Sequence, residues 1–241
     1  MGIMKTGIQG LDAMLYGGIP EGDQVVLAGG PGAGKTLMAF EILYRNAKMG
    51  ESGVYFSLEE DPQRVLQNAK SAFSELSDID EMIEKKKLVI DGRAPTEKLA
   101  GSDPSGYEFG KVVSDIEDIV NQIHATRVVI DSASILSLLI NDQVAYRRSM
   151  MQLITDMRRL NVTTILTMEA ATPERSKLEF KPEFFIFDGI ISMYQTGEAE
   201  KRTRAMEIIK MRGTKHSFVT TPYDITSAGF KVYSAEDASL Y

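Results

Sequence analysis

Along the chain, short runs that are apolar at nearly every position alternate with longer stretches in which apolar residues return every three or four places. The runs at 24–28, 53–58, 87–91, 127–131 and 162–168 have the length of strands buried on both faces. Between them the spacing predicts a helix that follows residue 34 and stops at Lys48-Met49-Gly50, and another from Asp61-Pro62 to about Phe73. Further helices are predicted over 111–124 and 143–159; in the first, Val112, Val113, Ile116, Ile119, Val120 and Ile123 form one stripe. A short opening helix at 7–15 ends at Gly17-Gly18, and the polar segment 92–110, rich in Gly, Pro and Ser, reads as a long surface loop. Beyond Phe185 the period changes to strands at 189–195, 203–211, 217–223 and 228–233. Strand–helix alternation followed by hairpins predicts one α/β domain over residues 1–241. Its sheet is mostly parallel and twisted, flanked by helices and extended by antiparallel strands, with ligands at the carboxyl ends of the parallel strands.

The first apolar run leads straight into Gly29-Gly30-Pro31-Gly32-Ala33-Gly34-Lys35-Thr36, and a helix follows at once. A turn of the form GxxxxGKT between a buried strand and a helix is a phosphate cradle, because backbone N–H groups supply many donors that never titrate. Glycine at 29, 32 and 34 permits conformations that a side chain would block, and the helix then aims its free N–H groups and positive dipole end at the anion. Lys35 is expected to reach the outer phosphates and Thr36 to give its hydroxyl to Mg2+. The implied ligand is a nucleoside triphosphate with magnesium.

Composition changes this picture only at its edges. Cysteine is absent and histidine occurs twice, so disulfides and thiolate metal sites are excluded and a cytoplasmic setting is expected. No apolar run approaches the roughly 18–20 residues of a membrane span. A net charge of −7 argues against a broad polyanion-binding surface while leaving room for a local basic loop.

Acidic residues complete the candidate chemistry. Asp131 closes an apolar strand and is expected to hold magnesium opposite Thr36; the plainer alternative is a cap for the Ser132-Ala133-Ser134 turn. Glu59-Glu60, expected to end the strand beside the phosphate-loop strand, offers a base that orients the attacking water, with like-charge repulsion raising one of the two pKa values. The alternative is dipole-favoured acid at a helix start. Far along the chain, Lys210-Met211-Arg212-Gly213-Thr214-Lys215-His216 reads either as a solvated hairpin tip or as a cation cluster delivered to a neighbouring subunit's nucleotide.

Taken in order, Thr6-Gly7-Ile8 with Leu11-Asp12, the phosphate loop, Leu58-Glu59-Glu60 with Pro62, the strand ending at Asp131, and Lys210–His216 resemble a KaiC-type ATPase of the RecA/RadA superfamily. The resemblance covers essentially the whole chain and points to the single-domain archaeal KaiC-like proteins, also called RadA paralogues. It implies a RecA-type core, a homo-oligomeric ring such as a hexamer, and ATP or ADP held between subunits. By position, Gly32, Gly34, Lys35, Thr36 and Leu37 would lie on the phosphates, Glu59 and Glu60 would match the catalytic glutamates, and Ser71 would sit near the nucleotide. Lys210, Met211, Arg212, Thr214, His216 and Thr226 would contact it from the adjacent subunit. Ser227 stands where the clock proteins carry Asp, and Glu169 stands where recombinases carry a polar pair. With one ATPase domain and no N-terminal extension, neither clock autophosphorylation nor recombinase filaments are expected.

Three functions remain open at this stage. One is an oligomeric, slowly hydrolysing ATPase that turns nucleotide state into a change of conformation or assembly for a protein partner. A second is an ATP-dependent single-stranded-DNA-binding accessory protein, using loops 138–146 and 172–182 with Arg175, Lys177 and Lys181, and with Arg147 and Arg148 nearby. The third is a nucleotide-gated scaffold.

Overall fold

A computed structural model of the chain describes residues 2–92, 109–140, 142–170, 182–196 and 203–233. The central strands are apolar throughout because each one serves two cores. In β3 (Gln24–Gly29) Val25 and Leu27 enter one layer while Val26 and Ala28 enter the other. In β4 (Gly53–Ser57) Tyr55 faces the first layer, with Val54 and Phe56 facing the second. The same division separates Val129 from Val128 and Ile130 in β6 (Arg127–Asp131). Alternation of side chains along a pleated strand makes this unavoidable when both faces are covered.

Nine strands form the main sheet. Besides those three it contains β5 (Leu88–Gly92), β7 (Thr163–Glu169), β8 (Gly189–Thr196), β9 (Thr203–Met211), β10 (Thr221–Thr226) and β11 (Gly229–Val232), in the order β11-β10-β9-β8-β3-β7-β6-β4-β5. The six from β8 to β5 run parallel, and β9, β10 and β11 extend the β8 edge antiparallel. A separate two-stranded sheet pairs β1 (Ile3–Met4) with β2 (Ile19–Pro20). The helices divide between the faces. One layer holds α1 (Gln9–Met14), α2 (Lys35–Lys48), α3 (Pro62–Ala72) and α4 (Ile79–Glu84). The other holds α5 (Phe109–Ile123), α6 (Ile135–Leu139), α7 (Gln143–Arg159) and a 3-10 helix at Pro182–Ile186.

The expected architecture is present, with one correction to the strand order. Glu59 and Glu60 do not follow the strand next to β3, because β7 and β6 lie between β3 and β4. A run of apolar residues carries no label for its partner, so adjacency in sequence was a poor guide. The opening motif proves to be a local clamp: the Asp12 carboxylate accepts from the Thr6 N–H and hydroxyl, both at 2.7 Å, and from the Gly7 N–H at 3.2 Å. Segment 93–108, most of the expected surface loop, lies outside the described residues.

Candidate functional site

The carboxyl ends of β3, β7, β6 and β4 meet at a cavity of about 630 Å3. The phosphate loop closes one side of it. Gly34 caps α2 with φ +90°, and a Cβ there would stand 2.7 Å from Ile225 Cδ1 and 3.1 Å from Phe230 Cζ. The turn therefore needs glycine for its conformation and again for its packing. Lys35, the first residue of α2, reaches back to donate to the Gly30 carbonyl at 3.1 Å. Burial pushes the pKa of its ammonium down, while Glu169, Asp131 and Glu59 pull it back up. Lys35, Thr36, Leu37 and Gly32 all line the cavity.

Three carboxylates face that lysine from successive strand ends. Glu169 ends β7 and lies in register with Gly29, and its N–H donates to Ser134 Oγ at 2.7 Å. Asp131 ends β6, is nearly buried, and accepts from Tyr55 Oη at 2.5 Å and from the Thr167 hydroxyl. Two hydroxyl donors hold it aimed, leaving its remaining lone pairs for a hydrated cation. Glu59 reaches the site because the chain bends sharply beyond β4. The Leu58 N–H donates to the Asp131 carbonyl at 2.5 Å, and the Ser57 hydroxyl donates to the Glu60 carbonyl at 2.6 Å. That turn carries Glu59 over β6 toward the loop.

Glu59 and Glu60 are not equivalent. Among the described residues Glu59 has no hydrogen-bond or ion-pair partner, whereas Glu60 accepts from Asn68 at 3.2 Å and lies 3.8 Å from the Arg64 guanidinium. Burial raises the Glu59 pKa first, then the charges of Asp131, Glu169 and Glu60, with Lys35 opposing. The expected repulsion between the two glutamates is thus the smallest of the raising causes. Ser71 and Asn68, one helical turn apart on α3, line the opposite wall; that spacing is the signal that could have added Asn68 to the site. Two further residues escaped the sequence reading. Arg204 Nε donates to the Gly32 carbonyl at 3.4 Å, and Tyr223 Oη donates to the Ala33 carbonyl at 2.5 Å. Neither had a local signal, since each approaches from a strand far away in the chain.

Lys210, Met211, Arg212, Thr214 and His216 are not brought to this cavity. Lys210 and Met211 pair with Ile190 and Gly189, and Gly189 pairs with Val25, so the motif lies at the foot of β3 and the phosphates' cradle at its tip. Lys210 Nζ donates to the Phe187 carbonyl at 2.5 Å and Arg212 to the Phe185 carbonyl at 3.0 Å. Asp188, held by Arg158 at 2.8 Å, sits 3.6 Å from Arg212. The Met211 side chain is buried in its own core. Thr226 is the last residue of β10. It sits in the β10–β11 turn, its hydroxyl donating to the Gly229 carbonyl at 2.8 Å, and that turn packs on the chain's own α2 through Arg45 and the Ala228 carbonyl at 3.3 Å.

The site fits a magnesium nucleotide by its donor set: a glycine loop that a Cβ would block, free N–H groups at the start of α2, Lys35, Thr36 and a braced Asp131. Among the described residues no three His, Asp or Glu side chains converge as a metal cage, so such a cation would depend on the nucleotide's own oxygens. For the DNA reading, Arg147 and Arg148 lie exposed on α7, and Arg175, Lys177 and Lys181 fall outside the described residues. Among the described residues no helix is long and apolar enough to cross a membrane.

Comparison with known proteins agrees with this geometry. The chain is 30% identical over 236 residues to the circadian clock oscillator protein KaiC of Parathermosynechococcus lividus, covering 95% of itself and 42% of that protein. It thus spans less than half the length of the clock proteins it matches. A UPF0273 protein of Aeropyrum pernix is 33% identical over 235 residues, with 95% of this chain and 93% of the relative covered. The crystal structure of a KaiC-like protein from Pyrococcus horikoshii OT3 superposes with a TM-score of 0.81 at 31% identity, over 97% of this chain and 99% of that one. Residues 4–237 match the family described as ATPase: KaiC. The chain belongs to the KaiC-type ATPase family, and with it to the ATP-binding proteins of the RecA superfamily.

Proposed function

We propose that residues 1–241 act as one magnesium-dependent ATPase domain that turns over slowly and works as a homo-oligomer, converting nucleotide state into a change of assembly or of a partner's conformation. The observation that carries this reading is the convergence of Glu59, Asp131 and Glu169 on Lys35 in one cavity beside the phosphate loop. Thr36 and Asp131 would hold a magnesium ion bound with ATP, and that ion would supply positive charge to offset the phosphoryl oxygens. Lys35 and the α2 N–H groups bind and orient the outer phosphates. Glu59, without a hydrogen-bond or ion-pair partner among the described residues and with a raised pKa, is poised to hold a water and accept its proton, while Glu60 is tethered to α3. Lys210, Arg212, Thr214 and His216, at the opposite end of the sheet, complete a neighbouring copy's cleft rather than their own. Ser71, in the cavity wall, serves the chain's own nucleotide.

The test compares Glu59→Gln with Glu60→Gln under saturating ATP and magnesium. Loss of a general base costs about 10²–10⁴-fold in turnover. That loss is expected for Glu59→Gln, with ATP affinity retained, and a much smaller one for Glu60→Gln. Unchanged hydrolysis in both variants would remove the catalytic reading and leave a nucleotide-gated scaffold. Steep, salt-dependent binding of single-stranded DNA would move the function to the recombination accessory class.

A further inference from the structure

The phosphate loop is held from outside by the antiparallel extension, at two consecutive carbonyls. Arg204 on β9 reaches that of Gly32, and Tyr223 on β10 reaches that of Ala33 at 2.5 Å. Tyr223 is fully buried, and its ring stacks on Phe230 with centroids 5.8 Å apart. Phe230 is fixed in turn: its N–H donates to the Glu41 carboxylate of α2 at 2.8 Å, and its ring meets Phe73 at 6.3 Å. Burial raises the phenol pKa, so the hydroxyl stays protonated, and a donor, near neutral pH. A hydroxyl so placed has one structural consequence beyond its own bond.

The Ala33–Gly34 link is a planar trans peptide, in which the carbonyl and the following N–H point in opposite directions. Fixing the Ala33 carbonyl toward Tyr223 therefore fixes the Gly34 N–H away from the hairpin. Gly34, with its φ of +90°, is free of the side-chain constraints that would otherwise hold that plane. We propose that Tyr223 is a positioning residue: through the Ala33 carbonyl it presets the Gly34 amide to donate to a nucleotide phosphate. The proposal rests on the nucleotide reading of the loop and adds to it a residue that touches no ligand.

The experiment measures binding of Mg-ADP by calorimetry, and thermal melting without ligand, for the wild type, Tyr223→Phe and Tyr44→Phe. Tyr44 is the control: its hydroxyl also bonds a backbone carbonyl, that of Glu75 at 2.8 Å, but far from the loop. Both variants should melt lower. Only Tyr223→Phe should bind ADP about tenfold more weakly, which is ~1.4 kcal/mol, with Tyr44→Phe staying within about twofold of the wild type. Equal ADP affinity in wild type and Tyr223→Phe overturns the proposal, because the hydroxyl then serves stability alone. If Tyr223→Phe does not fold, hydrogen exchange on the wild type decides: the Gly34 amide must gain protection in the ADP complex, and unchanged exchange overturns the proposal. A wild type that binds no ADP removes the nucleotide reading itself, a result separable from either of the others.

Discussion

Helix α2 offers a measurement of how tightly the extension grips the phosphate loop, because glycines with nearly the same φ stand at both its ends. Gly34 caps the start with φ +90° and Gly50 follows the end with φ +98°. Replacing either by alanine forces an L side chain into left-handed backbone, at about 1–2 kcal/mol. Around Gly50 nothing lies within 4 Å of the added Cβ, so Gly50→Ala should lose that amount and no more. At Gly34 the Cβ would meet Ile225 Cδ1 at 2.7 Å and Phe230 Cζ at 3.1 Å. The isoleucine tip can swing aside, but the Phe230 ring is wedged between Tyr223 and Phe73, so overpacking adds about 1–3 kcal/mol. Gly34→Ala should therefore lose about 2–5 kcal/mol in all, and exceed Gly50→Ala by ~1–3 kcal/mol. Urea unfolding of the ligand-free variants, read as midpoint multiplied by slope, measures both losses. Equal losses, within ~0.5 kcal/mol, would show that the hairpin yields freely and does not brace the loop.

Two other outcomes follow from the foot of the sheet. Burial, and then the charge of Asp188, raise the Asp23 pKa from 3.8 to about 6 against Arg158 and Arg212, so the folded state holds this proton more tightly than the unfolded chain does. Stability should fall as pH rises from about 4 through 6 and then level off, by ~1–3 kcal/mol; Asp23→Asn should flatten that segment of the urea-midpoint profile, and an unaltered profile would count against the shift. For the composite site, Glu59→Gln lacks the base in its own cleft and Lys210→Ala lacks the cation supplied to its neighbour's. Mixing the two inactive proteins should restore up to roughly a quarter of wild-type hydrolysis by random pairing, whereas no recovery after subunit exchange would place Lys210 outside the neighbour's cleft.

Local signals carried much of this structure in the sequence, and long-range ones carried none of it. Helix α7 matches its expected span because Asp142 caps it and its apolar spacing is unbroken, and β9 matches because its apolar residues continue from Ala205 to Met211, just before the Gly213 turn. Strand β10 begins at Thr221 rather than residue 217. Residues 217–220 are spent reaching across to α1, where the Ser217 N–H donates to the Met14 carbonyl at 2.8 Å, and pairing starts only at Thr221 with Met206. The short helices α4 and α6 escaped notice because neither has a capping side-chain bond and each is too short to show a period. In the site, the glycine loop and the strand-ending Asp131 were legible as a contiguous motif and a position. The bracing of Asp131 by Tyr55 and Thr167, and of the loop by Arg204 and Tyr223, was not, since these are contacts across strands whose order the sequence does not encode.

Strand β3 has a polarity with a consequence for assembly. Its six residues span about 20 Å, with the nucleotide grip at one extremity and, across β8, the cationic motif at the other. Two copies related by a two-fold axis could exchange cations only by lying side by side and antiparallel, each grip against the other's foot. Where copies under the composite-site reading join nose to heel instead, each contact leaves one donor end and one acceptor end unspent. An open row would always keep one terminal cleft unfinished, and only closure on itself would give every copy the same complement.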